Sequence, residues 1–168
     1  MINLKIKKLS DTAILPTKAH DTDACFDIYA NIPEVEVCYD CVFDEASSLV
    51  EFIPHHGATQ IEPGKSVVIS TGFCTEIPEG YFAPVFCRSG MGIKKHLRLS
   101  NSVGIIDSSY RGEWMVSLHN DGTESQIIHH GDRIAQFTLL PVLDVNIEEV
   151  ADVNDTERGT GGFGSSGV

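Results

Sequence analysis

Short β-branched and alternating segments, each closed by a turn pair, constrain this chain more than any other feature. Leu4-Lys-Ile-Lys7 alternates at period two, the spacing that puts every second side chain on one face of a sheet. Lys65-Ser-Val-Val-Ile-Ser-Thr71 is β-branched and follows Pro63-Gly64. Phe73-Cys-Thr-Glu-Ile77 and Tyr81-Phe-Ala-Pro-Val-Phe86 flank Pro78-Glu-Gly80, which predicts a hairpin-like connection between them. Glu113-Trp-Met-Val-Ser-Leu118 and Ile134-Ala-Gln-Phe-Thr-Leu-Leu140 read as two further strands. Helical periodicity is scarce, and no internal repeat is visible. Many short strands at regular spacing predict an all-β domain built as a sandwich, jelly roll or barrel.

The length, 168 residues, suits one compact domain with a real core. Acidic residues number 24 against 12 basic ones, a net charge of −12, which argues against a broad nucleic-acid-binding face. No apolar run approaches the ~20 residues of a membrane helix. The opening Met1-Ile-Asn-Leu-Lys5 has no apolar signal core, so the expectation is a cytosolic protein, in the host-cell cytoplasm if the source is viral. An acidic protein can still bind a polyphosphate through a local group of cations and backbone amides, with a metal to offset charge.

Two segments depart from the strand pattern. Residues 33–60 are acidic and hold Cys38, Cys41, His55 and His56 with one apolar run, Ser48-Leu-Val-Glu-Phe-Ile53. This stretch is expected to be an insertion in a domain spanning 1–157 and a candidate surface for a protein partner. Its Cys and His residues are the right ligand types for zinc, but adjacent histidines rarely point at one metal, and reduced thiols in a surface insert fit equally. Five scattered cysteines argue against a disulfide framework. Residues 158–168 are Gly- and Ser-rich and are expected to form a flexible tail.

Four segments could carry chemistry. In Gly104-Ile-Ile-Asp-Ser-Ser-Tyr110, a strand delivers Asp107 to a turn, where a carboxylate can act as a general base on water or merely stabilise an Asx-turn. Phe86-Cys-Arg-Ser-Gly90 ends a strand with Arg88, the Ser89 hydroxyl and the Gly90 amide, which suit a phosphate or an ordinary turn. In Gly131-Asp-Arg-Ile-Ala-Gln136, the Gln136 amide could donate to a phosphate or to a core acceptor. Arg158-Gly-Thr-Gly-Gly-Phe-Gly-Ser-Ser-Gly167 has glycine-freed amides, two hydroxyls and a leading Arg, like a phosphate-cradling loop, but lacks the Lys and helix of a P-loop. A linker explains it too, except that its lone Phe163 suits stacking on a base.

Together these segments resemble the motifs of the homotrimeric dUTPases, the deoxyuridine triphosphate nucleotidohydrolases, in viral or phage form with an insert. The matching stretches are Asp23-Ala-Cys-Phe-Asp27-Ile, Arg88-Ser-Gly-Met-Gly, Asn101 to Glu113, Gly131 to Gln136, and Arg158 to Gly167, all in the family's order. The resemblance implies a distorted jelly roll, the β-clip, assembled as a homotrimer with a mobile C-terminal tail and sites at subunit boundaries. It implies Mg²⁺-assisted hydrolysis of dUTP to dUMP and pyrophosphate, which supports dTMP synthesis and keeps uracil out of DNA.

Residue by residue, Asp107 resembles the base on the attacking water and Tyr110 the platform under the deoxyribose. Asn101 and the backbone through Gly104 resemble the uracil reader. Arg88, Ser89, Gly90 and Gln136 resemble triphosphate ligands. Arg158, Gly164, Ser165 and Ser166 resemble the clamp on the terminal phosphates, and Phe163 the lid over uracil. Asp27 resembles a residue that steadies a Mg²⁺-bound water. Two positions depart from the motif: Cys25 stands where Gly is usual before the aromatic, and Ser109 where Asp is frequent. Rival readings are a dCTP deaminase of the same fold and a regulatory dUTPase that acts on a protein partner through the acidic insert.

Overall fold

The computed structural model is described for residues 2–43, 50–162 and 165, and over 35–56 for the backbone alone. Its two main sheets are antiparallel and five-stranded. One pairs β2 (Phe26–Tyr29), β8 (Tyr81–Phe86), β10 (Gly104–Ile106) and β13 (Arg133–Phe137) in the order β10-β8-β13-β2, with β14 (Leu140–Pro141) also on β8. The other runs β4 (Val50–His56), β3 (Glu34–Phe43), β6 (Ser66–Ser70), β11 (Met115–Asn120), β9 (Leu97–Leu99). Two ribbons complete the fold: β1 (Lys5–Lys8) on β7 (Phe73–Glu76), and β5 (Ala58–Ile61) on β12 (Gln126–His129). No helix among the described residues is long and apolar enough to cross a membrane.

Alternation explains the layering. In β6 and β11, Val67, Ile69, Val116 and Leu118 point inward while Ser66, Ser70 and Ser117 point out. Across the layer they meet Ile28, Ile134 and Phe137. Each such side chain stabilises by about 1.5–3 kcal/mol on burial. Trp114 sits at the join, edge-on to Phe137 at 4.9 Å and tilted on Phe73 at 5.4 Å. Its indole N–H donates to Thr75 Oγ1 at 3.1 Å, so the one polar atom of the ring is satisfied where the rest is buried.

Three local expectations are corrected. The segments around Pro78-Glu-Gly80 do not form a hairpin, because β7 pairs with β1 while β8 pairs with β10, β13 and β14. The turn forms, with Gly80 at φ +79°, but it passes the chain from one sheet to another. Arg88-Ser-Gly does not end in a simple turn either. It opens α1 (Ser89–Lys95), which stops at His96 in the left-handed region with Lys94 and Lys95 in its last turn, the favourable end for cations. Finally, the acidic stretch continues the strand pattern. Most of it forms the β3–β4 hairpin, docked on β6 through Cys41↔Val68 and Val42↔Val67, and residues 58–60 belong to β5.

Candidate active site

The phosphate-type residues converge on one patch of the first sheet. Asp27 on β2 faces Gln136 on β13, and Gln136 faces Phe86 on β8, so three neighbouring strands present their ends together. Asp27 is buried, at 8% exposure, and both its oxygens accept from guanidinium groups. Arg88 Nε donates to Oδ1 at 2.7 Å and Arg133 Nη1 to Oδ2 at 3.2 Å. A second Arg88 nitrogen reaches the Arg133 carbonyl at 3.4 Å. A buried carboxylate needs such partners, and the cluster in turn holds both cations in place. Gln136 Nε2 donates to the Cys87 carbonyl at 3.1 Å.

Ser89 and Gly90 are the first two residues of α1, ahead of the helical hydrogen-bond ladder, so their N–H groups remain available as donors. The Cys87 thiol between these groups bonds the Leu97 carbonyl at 3.3 Å, and burial pushes its pKa up. It stays protonated at neutral pH and supplies no thiolate nucleophile. Nothing in the sequence singles out Arg133; only the pairing of β13 with β2 brings it to Asp27.

A second group lies on the β10 side. β10 delivers Asp107 into a turn closed by Tyr110 N–H to the Asp107 carbonyl at 3.1 Å. Arg111 Nη1 tightens it by donating to the Ser108 carbonyl at 2.6 Å. Tyr110 then folds back so that its hydroxyl donates to the Glu113 carbonyl at 2.9 Å. Its ring rests on Gly112, where a Cβ would lie 2.5 Å from the phenolic oxygen, so any side chain there would push the ring from this position. Asp107 is exposed in the single chain.

Asn101 sits in the crossing from β9 to β10, which belong to different sheets. The crossing is tight: Ser102 adopts φ +63° and Val103 N–H bonds the Asn101 carbonyl at 2.7 Å. Gly104 lets this turn approach β8, since a Cβ there would meet Val85 Cβ at 3.2 Å and Asn101 Nδ2 at 3.6 Å. Asn101, Gly104, Ile105 and Ser117 help line an opening of about 150 Å³ between the sheets.

The two groups are not brought together within one chain. Ile106 pairs with Ala83, so Asp107 leaves at the start of β8 while Arg88 follows its end. Five residues separate Ala83 from Arg88, roughly 17 Å at about 3.3 Å per residue. Arg88 also leans toward β2, three strand spacings of about 4.8 Å from β10.

In the tail, Arg158 curls onto its own segment, with Nε on the Gly161 carbonyl at 3.0 Å and Nη2 on the Gly162 carbonyl at 3.3 Å. Ser165 N–H bonds the Gly162 carbonyl at 3.2 Å. Phe163, Gly164 and Ser166 lie outside the described residues, as do the side chains of Cys38, Cys41, His55 and His56. Cys25, at the position where glycine is usual, is not among the residues with positive φ, so cysteine is accommodated there without backbone strain.

Fold and site together define a class: an all-β jelly-roll domain with a guanidinium–amide patch at one sheet end and a carboxylate–phenol turn at the other. Comparison with known proteins narrows it. The dUTPase family model matches residues 56–167. The deoxyuridine 5'-triphosphate nucleotidohydrolase of Clostridioides difficile is 39% identical over 167 residues, covering 99% of both chains. That of Clostridium acetobutylicum is 38% identical over 168 residues, covering 100% of this chain and 99% of the other. The dUTPase of Staphylococcus bacteriophage 80alpha, in a structure with dUPNHPP, superposes with a TM-score of 0.78 at 28% identity over the full length of both chains. The chain belongs to the dUTPase family.

Proposed function

We propose that this protein hydrolyses dUTP to dUMP and pyrophosphate at sites shared between the subunits of a homotrimer. The observation that carries the reading is the Asp107–Tyr110 turn. It holds a carboxylate at the end of a strand, three residues from a phenol pinned by the Glu113 carbonyl and Gly112. Asp107 takes the proton of the attacking water as general base. Tyr110 lies under the deoxyribose and leaves no room for a 2′-hydroxyl. Asn101 and the backbone to Gly104 read the uracil edge.

Arg88, Ser89, Gly90 and Gln136 bind the triphosphate, with the Arg88 guanidinium preset by Asp27. In-line attack at phosphorus needs positioning and charge stabilisation more than covalent help, and these residues supply both. Residues 158–168 act as a tail beyond a domain of 1–157. Arg158, Ser165 and Ser166 clamp the terminal phosphates, Gly164 lets the backbone approach them, and Phe163 covers the base.

Mg²⁺ fits this site as an ion carried by the triphosphate. Both oxygens of Asp27 already accept from guanidinium groups, so its remaining lone pairs suit a metal-bound water rather than the metal itself. When bound, the ion offsets phosphate charge and orients the chain of phosphates.

The placement of the two groups at opposite ends of β8, roughly 17 Å of strand apart at about 3.3 Å per residue, supports a shared site. So does the segment after β14: Leu143, Val145, Ile147 and Val153 are all exposed in the single chain, Ile147 at 92%, a row of apolar side chains that a neighbouring subunit would cover. A second reading, regulation through a protein partner, draws on β4, which the acidic stretch places at the edge of the second sheet with only β3 beside it. Pull-down with and without the hairpin tests that reading.

The test of the main reading is pyrophosphate release from dUTP, dTTP, dCTP and UTP, with ammonia release from dCTP measured alongside. Turnover of dUTP alone supports the proposal. Ammonia from dCTP would support a deaminase, and comparable kcat/KM for dUTP and dTTP would remove the uracil-reading role.

A further inference from the structure

Glu113 does two separate jobs within one residue. Its backbone carbonyl accepts the Tyr110 hydroxyl at 2.9 Å. Its carboxylate Oε1 accepts the Gly72 N–H at 2.7 Å and the Ser70 hydroxyl. The anchor it grips is rigid. Gly72 adopts φ +71°, and a Cβ there would lie 2.7 Å from both Ala13 Cβ and Asn31 Nδ2, so the corner packs too closely for any side chain. The Gly72 carbonyl accepts Leu9 N–H at 2.7 Å and the Ser70 carbonyl accepts Asn31 N–H at 2.8 Å. Immediately after Glu113, the Trp114 N–H bonds the Phe73 carbonyl at 3.0 Å and the Trp114 carbonyl accepts the Thr71 hydroxyl at 2.6 Å.

An exposed Tyr on a surface turn would ordinarily sample several rotamers, at a cost in entropy when a ligand orders it. Here the phenol is tied at its tip to a residue that is itself tied to the β6–β7 corner. We propose that Glu113 is a positioning residue that fixes the plane of Tyr110 and thereby sets discrimination against a ribose 2′-hydroxyl. The inference rests on the dUTP-hydrolase reading and on Tyr110 lying under the sugar. Exclusion by contact works only if the excluding surface cannot retreat. A phenol freed from its tether yields by rotating, admits the hydroxyl, and presents a less ordered platform to the deoxyribose.

The experiment compares kcat/KM for dUTP and UTP in the full-length protein. Three variants are used: Glu113→Ala, which releases the anchor; Glu113→Gln, whose amide oxygen still accepts from Gly72 and Ser70; and Tyr110→Phe, which removes the donor at the other end. Trp114, the only tryptophan in the chain, adjoins Glu113, so its emission reports whether the local core persists. Glu113→Ala and Tyr110→Phe are expected to lower the dUTP/UTP ratio by about tenfold or more, with Trp114 emission unchanged in Tyr110→Phe. Glu113→Gln is expected to hold the ratio within about threefold of wild type.

A wild-type ratio in Tyr110→Phe, or in Glu113→Ala with unchanged emission, overturns the tether. So does an equal loss in Glu113→Gln and Glu113→Ala. If Glu113→Ala does not fold, Tyr110→Phe decides. A wild-type enzyme that turns over UTP as readily as dUTP overturns the underlying sugar reading as well, which separates that failure from one confined to Glu113.

Discussion

Replacing Asp27 by Asn tests whether the buried carboxylate organises the phosphate patch. The change keeps the shape and one acceptor oxygen but removes the charge shared by Arg88 and Arg133. A hydrogen bond to a charged group contributes about 1.5–3 kcal/mol and a neutral one about 0.5–1.5. Arg88 is 24% exposed and Arg133 46%, so solvent screens the second pair and its share is discounted to below about 1 kcal/mol. The Arg88 bond then loses about 1–1.5 kcal/mol and the net loss is about 1–2.5 kcal/mol. For a chain of this size that lowers Tm by roughly 2–10 °C.

Function should respond too. Arg88 would have to be ordered when the triphosphate binds, at about 0.5–1.5 kcal/mol for one long side chain, so KM for dUTP should rise several-fold while kcat changes less. Thermal melts at fixed protein concentration and steady-state kinetics measure both. A Tm within 1 °C of wild type together with an unchanged KM would refute the claim that Asp27 presets Arg88.

Other outcomes follow from the same geometry. Asp107→Asn should lower kcat by about 10²–10⁴-fold with little change in binding of a non-hydrolysable dUTP analogue, measured by calorimetry. Gly112→Ala should relax sugar selection, because the new methyl would sit 2.5 Å from the Tyr110 oxygen and displace the ring; the dUTP/UTP ratio of kcat/KM reads this. Replacing residues 36–54 by a short Gly-Ser loop should leave dUTP hydrolysis within a few fold, because the hairpin is an edge addition to β6 and contains none of the proposed site residues. Burial raises the thiol pKa of Cys25 and Cys87, so both should alkylate more slowly with iodoacetamide at pH 8 than free cysteine, the rate climbing as pH rises past the ordinary thiol range.

The local patterns were legible because they are dense. Alternation in β6 and β11 and the turn pairs between strands predicted an all-β chain, and the residues of five motifs pointed to the family. What was not legible depends on partners distant in sequence. Nothing local says that β7 pairs with β1 rather than β8; that choice is settled when Phe73 packs on Trp114, 41 residues away by the numbering. The seven-residue α1 is too short to show a helical period. The hairpin at 34–56 was hidden by acidic composition, since its strand character comes from adding to the edge of β6. Arg133 and Glu113 act through residues 106 and 41 positions away, and no motif spacing carries that information.

The central claim is that dUTP is hydrolysed at a site completed by two chains, and subunit mixing tests it most directly. Asp107→Ala and Arg88→Ala should each be nearly inactive alone. Unfolded and refolded together in equal amounts, they form sites in which one chain supplies Asp107 and its neighbour Arg88. Random mixing gives about ½ × ½, so pyrophosphate release from dUTP should recover to roughly a quarter of wild type. Release at background level, with mixed trimers confirmed by mass, would mean that both groups of one site come from one chain and would contradict the account.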